Sequence, residues 1–141
     1  MMDMRLLLVC IAALVLVASA GAANAPVNPV RATMSTTSTM PVADTPWRYT
    51  IVVEDRSGKP LRAKARLQLL LGTRVVGCWK RTAMTKCSGA TSGSWIIFTG
   101  RRAGVLTWPA QSAGSRRTFV ATVVAGGRSL KLRAPLTVKL P

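Results

Sequence analysis

Arg62, Lys64 and Arg66 recur at every second position, and Arg74 and Lys80 follow on the next segment. In an extended chain, alternate residues share a face at ~6.8 Å spacing, so the triplet forms a cationic ladder about 14 Å long. Two further pairs, Arg101-Arg102 and Arg116-Arg117, stand at the ends of apolar runs. The chemistry available to such a set is attraction of a polyanion. Guanidinium forks bind phosphate and sulfate oxygens in pairs, which favours Arg at such positions.

Other chemistry is poorly supplied. The chain of 141 residues carries 20 Lys and Arg against 4 Asp and Glu, with no His, for a net charge of +16. Without His, the Ser-His-Asp and Cys-His arrangements and the commonest metal ligand are missing. Glu54 and Asp55 are adjacent, so an extended backbone points them to opposite faces, and they cannot work as an acid-base pair. No Ser-x-x-Lys spacing occurs. The chain is therefore read as non-catalytic, and no cluster implies a cofactor or a metal. Cys78 and Cys87 match no zinc or redox spacing and are read as a structural disulfide. Cys10 sits within an apolar run and is read as filler there.

Four tryptophans, Trp47, Trp79, Trp95 and Trp108, are the other large functional side chains. On an open face they would stack sugars or bases. Most are expected in the core, because three lie within apolar runs. Trp79, between Cys78 and Lys80, is the one expected to be exposed.

The elements that must position these residues begin after a leader. Residues 1–20 place Arg5 ahead of the apolar run Leu6 to Val17 and end in Ala18-Ser19-Ala20. That is the layout of a secretory signal peptide, and the run is short for a membrane span. A second cut after Ala25 would leave Pro26 first, which is disfavoured. Loss of residues 1–20 takes Arg5 and Asp3, so the net charge stays +16. Residues 21–46 hold four Pro and a Ser/Thr run, and read as a flexible linker.

From Trp47 the period becomes two. Trp47, Tyr49, Ile51 and Val53 fall on one face. Asp55 to Pro60 is a turn cluster, and Leu61, Ala63, Ala65, Leu67 and Leu69 then alternate with the cationic ladder. Strands are expected over 73–80, 95–98, 105–108 and 117–124, with loops over 81–93, 100–104 and 111–115. Trp95 to Phe98 reads as buried. Gly126-Gly127 marks a hairpin, and Pro135 in the return strand points to a sheet edge or a bulge. About seven strands over residues 47–141 predict an all-β, immunoglobulin-like antiparallel sandwich, with a small closed barrel as the alternative.

Val53-Glu54-Asp55-Arg56-Ser57-Gly58-Lys59-Pro60-Leu61, followed by Ala63, Ala65 and Leu67, resembles the opening of bacterial immunoglobulin-like repeats and of carboxypeptidase-regulatory-like domains. The closing hairpin, Phe119 to Val138, resembles the last two strands of such modules. Cys78 and Cys87 stand too close to bridge two sheets as in antibody domains. The resemblance implies a spacer, adhesin or binding module on an exported protein. The expected partner is an anionic cell-envelope polymer, glycan or lipid surface, reached by Arg62, Lys64, Arg66, Arg74, Lys80, Arg101, Arg102, Arg116 and Arg117. A protein partner is the further possibility, and sequence-specific nucleic-acid recognition is not expected. The alternative function is a cationic antimicrobial or enzyme-inhibitor protein.

Overall fold

The computed structural model of the chain describes residues 29–81 and 83–141. The expected signal peptide, 1–20, and the start of the expected linker, 21–28, lie outside the described residues.

Among the described residues nine strands follow in order: β1 (Arg31–Thr36), β2 (Pro46–Glu54), β3 (Arg62–Leu71), β4 (Arg74–Lys80), β5 (Ala83–Lys86), β6 (Trp95–Thr99), β7 (Arg101–Thr107), β8 (Arg116–Ala125) and β9 (Arg128–Thr137). A 3₁₀ turn, Ala110–Ser112, links β7 to β8. The small sheet has the order β1-β2-β7. The large sheet runs β5-β4-β3-β8-β9, and β6 pairs with the first half of β3 where β4 has left it. All these strand pairings are antiparallel.

The alternation read from the sequence is what joins the sheets. Trp47, Tyr49, Ile51 and Val53 from β2 meet Ala63, Ala65 and Leu67 from β3 and Phe119, Ala121 and Val123 from β8 in one buried cluster. Phe119 is its hub, with ring centroids 5.3 Å from Trp47 and 5.0 Å from Tyr49. Such tilted and edge-to-face contacts add about 0.5–1.5 kcal/mol each beyond area burial. Tyr49 lies across β7 at Gly104, where a Cβ would overlap ring atoms Cζ and Oη. Its burial raises the hydroxyl pKa, and the neighbouring Arg102 guanidinium works in the opposite direction.

Four local expectations change. Residues 31–36, placed by composition in a linker, form β1 along β2, with Ala32 and Met34 packed against the core. The period-two alternation of those two residues within the Ser/Thr run supplies the apolar face that composition averages away. The following segment is also fixed: Trp47 Nε1 donates to the Ser38 carbonyl at 2.8 Å, and Val42 makes a parallel bridge to Lys139. The strand count is thus nine, against the expected seven, with β5 arising inside the expected 81–93 loop. The 100–104 turn shrinks to Gly100, because β7 already starts at Arg101. Pro135 does fall on an edge strand, since β9 ends the large sheet.

Asp55 explains the tightness of the first turn. Its Oδ1 accepts from Ser57 Oγ at 2.6 Å, Ser57 N at 2.8 Å and Lys59 N at 2.9 Å. These bonds, led by that from the Ser57 side chain, hold its carboxyl below the usual carboxylate range. Gly58 takes φ 85° in the same turn, a conformation that costs a side chain strain. The turn delivers the chain to β3 with the ladder residues facing outward.

Candidate functional site

The outward face of the large sheet is built by register. Across β9, β8, β3 and β6, one row reads Lys131, Thr122, Arg66 and Trp95. The adjacent row reads Ser129, Val124, Lys64 and Ile97. A third reads Arg133, Val120, Gln68 and, on β4, Cys78. At ~4.8 Å between strands, each row is about 14 Å wide. Arg62, Lys64, Arg66, Lys131 and Arg133 therefore share one surface.

None of the described acids lies there. Glu54 ends β2 in the small sheet, opposite Arg31, and Asp55 is consumed by its turn. Asp44 precedes β2. The outward face of the small sheet carries Arg31, Arg48 and Arg101 beside Glu54. The cations are thus unevenly divided between the two outer faces.

Trp95, on the edge strand β6, braces two of these cations. Lys64 Nζ lies 4.6 Å and the Arg66 guanidinium carbon 4.2 Å from its ring centroid. Cation-π contacts at exposed sites are worth about 0.5–1 kcal/mol each. Arg66 is half-buried, and its Nε has no hydrogen-bond partner. Its stem lies against the 87–94 segment, where a Cβ on Gly93 would sit 3.4 Å from Cγ. The Cys78–Cys87 disulfide ties that segment to β4, and Gln68 Nε2 donates to the carbonyls of Ala90 at 3.0 Å and Ser92 at 2.8 Å. One edge of the cationic face is therefore walled by a pinned loop.

Two tryptophan expectations are reversed. Trp79, expected exposed, is 8 % exposed and packs into the core. Trp95, expected buried, is 36 % exposed, and Ile97 beside it 66 %. The run Trp95 to Phe98 is one edge strand whose Ile96 and Phe98 face inward, while among the described residues no second sheet covers its other side. Trp47 and Trp108 are buried as expected.

The remaining sequence candidates scatter. Arg74, Arg116 and Arg117 lie at the far end of the large sheet, where Leu70 pairs with Thr118 and Leu71 with Arg74. Arg117 Nε donates to Ser115 Oγ at 3.0 Å. Lys80 ends β4 in an exposed position. Arg101 belongs to the outward face of the small sheet, while Arg102 shares the inward register of Gly104 and Leu106. Lys131, Arg133 and Trp95 were missed as site residues. The first two are legible in part, since Leu130 and Leu132 alternate with Lys131 and Arg133 along the return strand and so leave them to the opposite face. Their place beside the ladder depends on β3 pairing with β8, a long-range contact that no local pattern announces.

No family model matches this chain, and no curated protein does. One solved structure it resembles is a DUF4466 family protein from Parabacteroides merdae, at 11% sequence identity and a TM-score of 0.41. The match covers 79% of this chain and 44% of the other, so this chain spans less than half of that protein.

Proposed function

We propose that this chain is an exported, non-catalytic module that binds an anionic polymer or lipid surface of the cell envelope through the outer face of its large sheet. The observation that carries the reading is the segregation of Arg62, Lys64, Arg66, Lys131 and Arg133 onto one face without an acid. Like charges so placed repel one another, and an anionic partner relieves that repulsion. Trp95 holds two of them in position, which lowers the side-chain entropy lost on binding. Cations spread over β3 and β9 suit a repeating anion better than a single small ligand. We also read the two packed antiparallel sheets as immunoglobulin-like. Support comes from the Asp55-centred turn, the closing β8–β9 hairpin and the parallel bridge between Val42 and Lys139.

The test is retention on heparin and on purified cell wall under a salt gradient. Cations near an anionic surface contribute about 1 kcal/mol each, so Arg62→Gln, Lys64→Gln and Arg66→Gln together should weaken binding roughly 100-fold. Arg31→Gln, Arg48→Gln and Arg101→Gln remove the same net charge from the other sheet and should cost much less. Equal losses in the two triple variants would mean that overall charge alone drives retention, and would overturn the reading.

A further inference from the structure

A second site lies away from the cationic face. Between the β7 edge of the small sheet and the β4–β5 end of the large one, the sandwich opens into a cleft of about 560 Å³. Ligand pockets fall at roughly 300–1,000 Å³, so the cleft is large enough for a small molecule. Part of its wall is apolar, from Leu69, Val76, Met84, Leu106 and Trp108, and Thr85, Thr107, Gln111 and Ser112 add polar groups. Lys86 and Arg117 also line it, and no acidic side chain does. Met84 is suited to such a wall, because its unbranched thioether adapts to differently shaped apolar groups.

Trp108 gives the cleft wall a spectroscopic reporter. It is buried, yet its Nε1–H has no hydrogen-bond partner among the described residues. Trp47, stacked edge-on to it at 5.5 Å, donates its own Nε1–H to a carbonyl. A buried donor left unpaired is costly, and buried indole N–H groups usually find an acceptor. Part of the Trp108 side chain lines the cleft while its Nε1 is buried, so the indole reports on occupancy of the cleft without itself binding the head group.

From the apolar stretch of the wall and the two cations beside it, we propose that the cleft binds a small amphiphile with an apolar body and an anionic head. The apolar body packs on Met84, Leu106 and Trp108, and the head pairs with Lys86 and Arg117. This site is distinct from the polymer-binding face, since none of Arg62, Lys64, Arg66, Lys131 and Arg133 lines it.

Decanoate is the probe, with decyltrimethylammonium as its cationic counterpart. Binding is read by the indole N–H resonance of Trp108 in nitrogen-15 spectra, assigned with Trp108→Phe, and by calorimetry. Decanoate should shift that resonance saturably at one molecule per chain, and the cationic analogue should bind at least about tenfold more weakly. Lys86 is exposed, so Lys86→Glu should fold normally and weaken decanoate about tenfold, with Arg117→Gln acting in the same direction. The Arg62→Gln, Lys64→Gln, Arg66→Gln triple variant should leave decanoate binding unchanged. Equal binding of the two amphiphiles, no saturable shift at Trp108, or loss of binding in that triple variant would overturn the proposal. Failure on heparin with decanoate binding intact would sink only the polymer reading.

Discussion

At the scale of single residues, small differences in shape decide whether the two layers can meet. Gly104 carries no Cβ because the Tyr49 ring occupies that space. Tyr49 in turn touches Phe119, so a shift there spreads into the hub of the core. Overpacking a rigid core costs about 1–3 kcal/mol, and Gly104→Ala should destabilise the chain by that amount. The measurement is the midpoint of urea unfolding, with an unchanged midpoint ruling the close approach out. Gly104 falls at the end of the expected 100–104 loop, because sequence shows a flexible residue but not the ring lying on it. Trp95 teaches the same lesson about side chains. An apolar neighbourhood in sequence suggested burial, yet burial depends on whether a second layer covers the strand.

At the scale of elements, β1 is the clearest addition to the domain. Ala32 and Met34 pack against the core, and the following segment buries Ala43 completely and bridges to Lys139. Removing residues before 47 exposes this packing and leaves β2 as an edge. Val30 and Met34 are the larger side chains packed there, and full burial of each would be worth about 1.5–3 kcal/mol, so the loss should reach at most about 3–6 kcal/mol. A domain's whole stability is only about 5–15 kcal/mol. The chain 47–141 should therefore unfold at much lower denaturant than the chain 29–141, or fail to fold cooperatively. Identical midpoints for the two would return residues 29–46 to the role of a linker. The β4–β5 hairpin and its pinned loop show a second device. The disulfide closes a short loop, which the chain-entropy model values at about 2–3 kcal/mol. It also holds the wall beside Arg66.

At the scale of the whole molecule, charge works against the fold. A net charge of +16 with few acids leaves repulsion that neighbouring ion pairs do not relieve. Screening shortens the reach of that repulsion, since the Debye length falls from about 10 Å at 0.1 M to about 3 Å at 1 M salt. Thermal stability should therefore rise as sodium chloride is increased from low concentration, before general salt effects dominate. Calorimetry in a salt series checks this, and a Tm that falls from the first addition would contradict it. The same screening should weaken binding to a polyanion, so stability and retention should move in opposite directions with salt.

Sequence alone determined the strand character, the main inward face of β2, β3 and β8, the β8–β9 hairpin, the disulfide and the cationic ladder. Each is written in local spacing: period two, a Gly-Gly turn, or two cysteines close in the chain. Tertiary structure decided which strands became neighbours, and with that which cations shared a face. Lys131 and Arg133 joined Arg66 only because β3 pairs with β8 across a long chain separation. The apolar cleft, too, arises only where two sheet edges fail to close. Such features depend on how layers pack in space, and the spacing of residues along a single strand does not encode that.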